Sequence, residues 1–247
     1  MEIVGYSERG IINSLFYEMK FSQNHLQLLN DFLYMVSFPY RPVDFEITET
    51  TMLIEQSFSN FGDADAVLLL DNRGDKQVVF LEAKVKTFQK RYWSILREFE
   101  EFKRGIDENS VSSSNLFAQL YHKVRLVKAL QAGGVSKLQV GVEFPTCSSK
   151  ERRRIGNNRV VLEAVHQLER YCRDALFVAL VPDDIANLRA FYDRTLKDYR
   201  PPRFPEWHIA SWGYLSWSQV EEFCKRHDLR GTLRTFEFNE GQIYEAT

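Results

Sequence analysis

The sequence predicts an α/β protein of three layers: a mixed β-sheet carrying an antiparallel hairpin, with helices on both faces. Three observations carry this reading. Helix-period and strand-period segments follow the order α-α-β-β-β-β-α-α-β-α-β-α-β-α, which suits a sheet covered on both sides. Two apolar runs, Asp65–Leu70 and Gln77–Lys86, flank the turn cluster Asp71-Asn72-Arg73-Gly74-Asp75 and read as a hairpin. A chain of 247 residues with 44% hydrophobic and 14% aromatic content can bury a full core, as one elaborated domain with its core over about 7–182 and a C-terminal extension over about 183–247.

The elements follow in order. Ile11, Ile12, Leu15, Phe16 and Met19 form the stripe of a helix from Ser7, its expected N-cap, to about Phe21. A second helix spans about Gln23–Val36 and is broken by Pro39 and Pro42. Val43, Phe45 and Ile47 alternate as one strand, and Met52–Phe58 reads as another, before the hairpin. Phe88, Tyr92, Ile95, Leu96, Phe99 and Phe102 predict a helix over Phe88–Arg104 closed by Gly105. After a Ser/Asn loop, Asn109–Asn115, come a helix over Leu116–Leu130 and a strand over Lys137–Phe144. A basic loop (Lys150, Arg152, Arg153, Arg154) precedes a helix near Arg159–Cys172, the strand Leu176–Val181 and a helix after Pro182. Pro201, Pro202 and Pro205 mark a linker, Trp207–Tyr214 reads as a late strand, and Ser216 with Gln219 is a capping box for a helix through Lys225.

Composition narrows the function classes. No apolar run approaches a membrane span, and no basic-then-apolar leader opens the chain. Three cysteines without a CxxC pair fit a reducing cytoplasm better than secretion. Net charge is −2, so bulk charge does not mark a nucleic-acid binder. Its distribution is uneven: nine acids and three bases over Arg41–Glu82, then seven bases and three acids over Lys84–Arg104, and eight and two over Lys123–Arg154. That order suits a metal site beside a phosphate-binding surface, and equally suits charges on solvated faces.

The informative stretch is Gly62–Leu70 with Val78–Val85. Alternation along the second strand puts Val79, Leu81, Ala83 and Val85 on one face, and Phe80, Glu82 and Lys84 on the other. A turn centred between Arg73 and Gly74 sets Asp65 across from Glu82 on the same face. Two carboxylates so close repel unless a cation or a shared proton lies between them. Their oxygens, with no neighbouring His or Cys, suit Mg²⁺ or Mn²⁺. On the first helix, Glu8 points within roughly 20–30° of the apolar stripe, either as a ligand or as a first-turn acid complementing the helix dipole.

At these residues the chain resembles the PD-(D/E)XK nuclease superfamily, the restriction-endonuclease-like fold, through Glu8, Asp65 and Glu82-Ala83-Lys84, with Ala64 in place of the usual proline. The run Ser7-Glu8-Arg9-Gly10-Ile11-Ile12-Asn13 resembles the opening helix of uncharacterised members. The resemblance spans about 7–145, with specific motifs only near 8, 65 and 82–84. It implies an ion held by Asp65, Glu82 and the Ala83 carbonyl, Glu8 acting through water or on a second ion, and Lys84 at the reacting phosphate. The expected activity is metal-dependent phosphodiester hydrolysis of nucleic acid, DNA being the favoured substrate, with the basic helices and the Lys150–Arg154 loop on the phosphate backbone. The alternative is a catalytically inactive nucleic-acid-binding or assembly module of the same fold.

Other candidates are weaker. Asp63 competes with Asp65 but is better placed in the entering turn, and Glu55 reads as a surface strand residue. Gln119, Tyr121 and Lys123 resemble the helical glutamine region of some members, although a solvated helix face is the expected role. Cys224-x-x-His227 is half a zinc site. His122 has no triad partner in sequence. Trp207, Trp212, Tyr214 and Trp217 are expected in the core. No nucleotide-binding loop is present.

Overall fold

A five-stranded mixed sheet organises the chain in a computed structural model that describes residues 4–86, 93–108, 112–145, 150–200 and 209–243. Helix α1 (Ser7–Phe21) buries Ile11, Ile12, Leu15, Phe16 and Met19, as the spacing predicts. Its N-cap is the extended residue Tyr6 instead of Ser7. Ser7 adopts a φ of 63°, and its hydroxyl donates to the Glu8 carboxylate. Helix α2 (His25–Tyr34) is shorter than expected at both ends and buries Leu28, Leu29, Phe32 and Leu33.

The two strands expected between residues 43 and 58 are one, β1 (Ile47–Ser57). Its ladder with β2 (Asp63–Asn72) runs from Ile47–Asn72 to Ser57–Asp63, so β2 templates Thr48–Thr51 as well as the apolar end. Val43 and Phe45 precede the strand. Strand β3 (Asp75–Ala83) pairs with β2 from Asn72–Asp75 to Ala66–Leu81, the register the turn predicts. Arg73 and Gly74 both have positive φ, 52° and 88°, the two-residue turn whose twist matches its strands.

Helix α3 (Ile95–Glu108) keeps Ile95, Phe99 and Phe102 buried. Leu96 is 50% exposed, because the inward stripe runs 95, 99, 102 and 106 and Leu96 lies to its side. Gly105 is buried within the helix and does not end it. The Phe88–Tyr92 part of the expected helix lies outside the described residues.

Asn115 caps helix α4 (Leu116–Val140), its side chain accepting from the Phe117 and Ala118 amides. The helix breaks at Gly134 and resumes, so Lys137–Val140 is helical where a strand was expected; four alternating residues are too few to fix a period, and Leu138 is buried in helical register with Val135. Gly141, at φ 109°, ends it. Strand β4 is only Val142–Pro145, and the expected basic loop is strand β5 (Lys150–Arg153), paired antiparallel with β4 in a separate two-stranded sheet.

Helix α5 (Arg159–Glu169), capped by Asn158, leads to β6 (Asp174–Val181), parallel to β3. Helix α6 (Ile185–Phe191) continues as a π-helical turn, Tyr192–Leu196. The proline segment and Trp207 lie outside the described residues. The late strand is β7 (Trp212–Ser216), parallel to β6 and preceded by a 3-10 turn. Ser216 and Gln219 form both halves of the expected capping box on α7 (Trp217–Arg226). Two helices that sequence reading did not foresee follow, α8 (Arg230–Phe238) and α9 (Glu240–Ile243). The Glu18 carboxylate accepts from the Gly231 and Thr232 amides, 3.1 and 2.8 Å, which ties α1 to the start of α8.

Strand order is β1-β2-β3-β6-β7. Side-chain parity divides two cores: Val67, Leu69, Val78 and Phe80 face α3, α4, α5 and α6, while Leu68, Leu70, Val79 and Leu81 face α1, α2, α7 and α8. This is an α/β architecture of three layers. Among the described residues no helix is long and apolar enough to cross a membrane.

Candidate functional site

One step past the Ala66–Leu81 pair, the β2–β3 register sets Asp65 across from Glu82 on the face covered by α4. The Asp65 carboxylate accepts the Ala83 amide hydrogen at 2.7 Å, so a side chain stands in for the main-chain acceptor where the ladder ends. Glu82 is fully buried. Burial pushes its carboxyl up to about 7, the Asp65 charge adds to the rise, and the Lys123 and Lys84 ammonium groups oppose it. Asp65 is also raised, first by burial; Glu8 pushes the same way, while the Ala83 amide, Lys84 and Arg9 pull it down.

Lys84 follows β3. Its amide donates to Leu180 of β6 at 2.9 Å, and its carbonyl accepts from the Trp217 indole at 2.7 Å. With the backbone held from both sides, the ammonium reaches the Gln119 side-chain oxygen. Gln119 lies one helical turn before Lys123 on α4, and both enter the site. Lys123 is fully buried; its ammonium lies 3.1 Å from Glu82 Oε1 and donates to the Phe61 and Asp63 carbonyls at 3.1 and 2.8 Å.

The expectation of a solvated face for Gln119, Tyr121 and Lys123 is therefore corrected. From Leu116 to Val127 helix α4 is enclosed, burying Leu116, Phe117, Ala118, Leu120, Val124 and Val127, and its exposed positions begin only at Lys128. That pattern is the signal that was available: a lysine inside it must have a buried partner. Tyr121 packs against Phe102 and beneath the Arg125 guanidinium.

Gly62 separates the two carbonyls that hold Lys123, at φ 77° and ψ 175°, a combination confined to glycine. Gly62→Ala is expected to destabilise the protein by about 1–3 kcal/mol through backbone strain, measured by urea unfolding.

The remaining candidates fall as follows. Asp63 is exposed and contributes only its carbonyl. Glu55 is exposed and bonded to Asn13, with Arg9 3.7 Å away, a surface role. Glu8 is half-buried at the start of α1, in the layer opposite α4, and acts on Asp65 through space. Ala83 is buried between the acid and the lysine. Cys224 is a buried helix residue, and His227 lies 3.6 Å from Asp31. Burial and neighbouring cations hold His122 well below its ordinary range. Trp212, Tyr214 and Trp217 are core. Of the bases expected on phosphate, Lys123 and Arg125 are buried instead; Arg125 pairs with Glu151 at 3.1 Å and lies between Tyr121 and Phe144. Lys128, Lys150, Arg152 and Arg154 are exposed.

The donor set fits a hard divalent cation. The cation that meets the buried Glu82 carboxylate is the Lys123 ammonium, and Asp65 with Glu82 offers oxygen donors of the kind a hard divalent cation takes. No three His, Cys, Asp or Glu side chains gather as a metal-binding group among the described residues. Mg²⁺ keeps several waters and takes one or two carboxylates. No family model, curated protein or solved structure matches this chain.

Proposed function

We propose that this protein is a metal-dependent nuclease with a PD-(D/E)XK-type site on a restriction-endonuclease-like fold. The observation that carries the reading is the placement of Asp65 across the hairpin from Glu82, one step past the last ladder pair, with Lys84 just beyond the strand end and anchored by Gln119. Bound Mg²⁺ or Mn²⁺ would supply Lewis acidity at the scissile phosphate and acidify a water molecule. Asp65 and Glu82 hold that ion, with the Ala83 carbonyl and Glu8 as the further groups the resemblance implies. Lys84 orients the attacking water or neutralises charge growing on the phosphate, and Gln119 fixes where its ammonium sits. Exposed Lys128, Lys150, Arg152 and Arg154 contact the polymer backbone, which gives affinity without sequence readout.

A second reading, an inactive nucleic-acid-binding module, draws on the Lys123–Glu82 pair, since a buried lysine can neutralise the acid without metal. One experiment separates them: labelled single- and double-stranded DNA and RNA incubated with Mg²⁺ or Mn²⁺. The nuclease reading expects metal-dependent cleavage of at least one polymer; binding without cleavage under every condition favours the module. Gln119→Ala is expected to lower cleavage by roughly tenfold to a hundredfold through a misplaced Lys84 ammonium. Its effect should largely vanish in a Lys84→Ala background, which single-turnover rates in a double-mutant cycle would check.

A further inference from the structure

We propose that Lys123 is the site's built-in counter-ion, which neutralises Glu82 when no metal is bound and competes with an entering divalent cation for that carboxylate. The inference rests on the metal-dependent reading above and adds a residue that lies outside the strand motif.

Geometry supports it at three points. Lys123 and Glu82 are both fully buried, and their charges are 3.1 Å apart, close enough that a cation ligated by Glu82 meets the ammonium as a like charge. The ammonium is shared among three oxygens, Glu82 Oε1 and the Phe61 and Asp63 carbonyls, so it is not committed to the carboxylate alone. The ammonium already donates to the Phe61 and Asp63 carbonyls, and these give it a resting place when it withdraws from Glu82. Phe61 ends the turn before β2 and Asp63 opens β2, two residues ahead of Asp65.

The test uses Mn²⁺ alone as the probe, titrated calorimetrically into metal-free wild type and Lys123→Met, with thermal unfolding in chelator and in Mn²⁺ alongside. Removing the competing charge should tighten Mn²⁺ binding by about tenfold or more. It should also lower the unfolding temperature in chelator, where Glu82 has lost its partner, with Mn²⁺ restoring much of the loss. Should Lys123→Met fail to fold without metal, Lys123→Gln keeps a donor for the two carbonyls and takes its place. A structure of wild type soaked in Mn²⁺ gives a reading that needs no variant: the Lys123–Glu82 separation should open beyond the 3.1 Å found here. Wild type that binds Mn²⁺ at Glu82 while the variant binds no tighter, or while the pair stays closed, overturns the role of Lys123 and leaves the metal site standing. Absence of Mn²⁺ binding in wild type and variant alike overturns both.

Discussion

Lys84→Ala is expected to lower nucleic-acid cleavage by roughly two orders of magnitude or more, the scale for loss of one electrostatic contact to a transition state. The substitution removes a charge just past the end of β3 but leaves both carboxylates in place. Its backbone anchors, the Leu180 carbonyl and the Trp217 indole, bind main-chain atoms and persist in alanine. Mn²⁺ affinity should hold or rise, because a repelling cation has gone. Binding to long polymers should fall only slightly, since the exposed bases on α4 and the β4–β5 hairpin remain. Single-turnover cleavage, calorimetry with Mn²⁺ and filter binding read the three quantities separately. A variant that cuts as fast as wild type would remove Lys84 from the chemistry.

The second large effect concerns stability against pH in chelator. Glu82 is raised from an ordinary carboxyl value of 4.5 to about 7 in the folded protein. Between those limits the folded state holds a proton that the unfolded chain has released, so stability falls as pH rises, the reverse of a salt-bridged carboxylate. Below the lower limit both states are protonated, and above the upper limit both are ionised, so the loss is confined to that window. Glu82→Gln should abolish that part of the slope, as compared by urea unfolding at a series of pH values. In wild type, saturating Mn²⁺ should flatten the same slope, because a cation stabilises the ionised form. Parallel slopes for wild type and Glu82→Gln would show that Glu82 does not carry an elevated proton affinity.

Much of the site was legible because hairpins are local. Arg73 and Gly74 fix a two-residue turn, the turn fixes register, and register alone places Asp65 across from Glu82. Strand parity then separates Glu82 from Leu81 and Ala83 with no knowledge of the rest of the chain. The stripe of α1 and the capping box of α7 are equally local, and both follow from neighbours within four residues.

Distance in sequence hid the rest. Lys123 meets Glu82 across 41 positions, and nothing near either residue announces the other. Gln119 and Lys123 read as a polar edge until the Leu116–Val127 part of α4 is seen to be enclosed. The single strand β1 needed β2 as its template, and the basic strand β5 needed β4. Glu18 had no evident role until α8 offered it two amides. The sequence by itself determined the α/β class, the hairpin and the face shared by Asp65 and Glu82, because turn geometry and side-chain alternation act over a few residues. Only the tertiary structure decided which cation answers the buried acid, because burial, and the pairing it forces on a charge, arises when distant elements close over the same space.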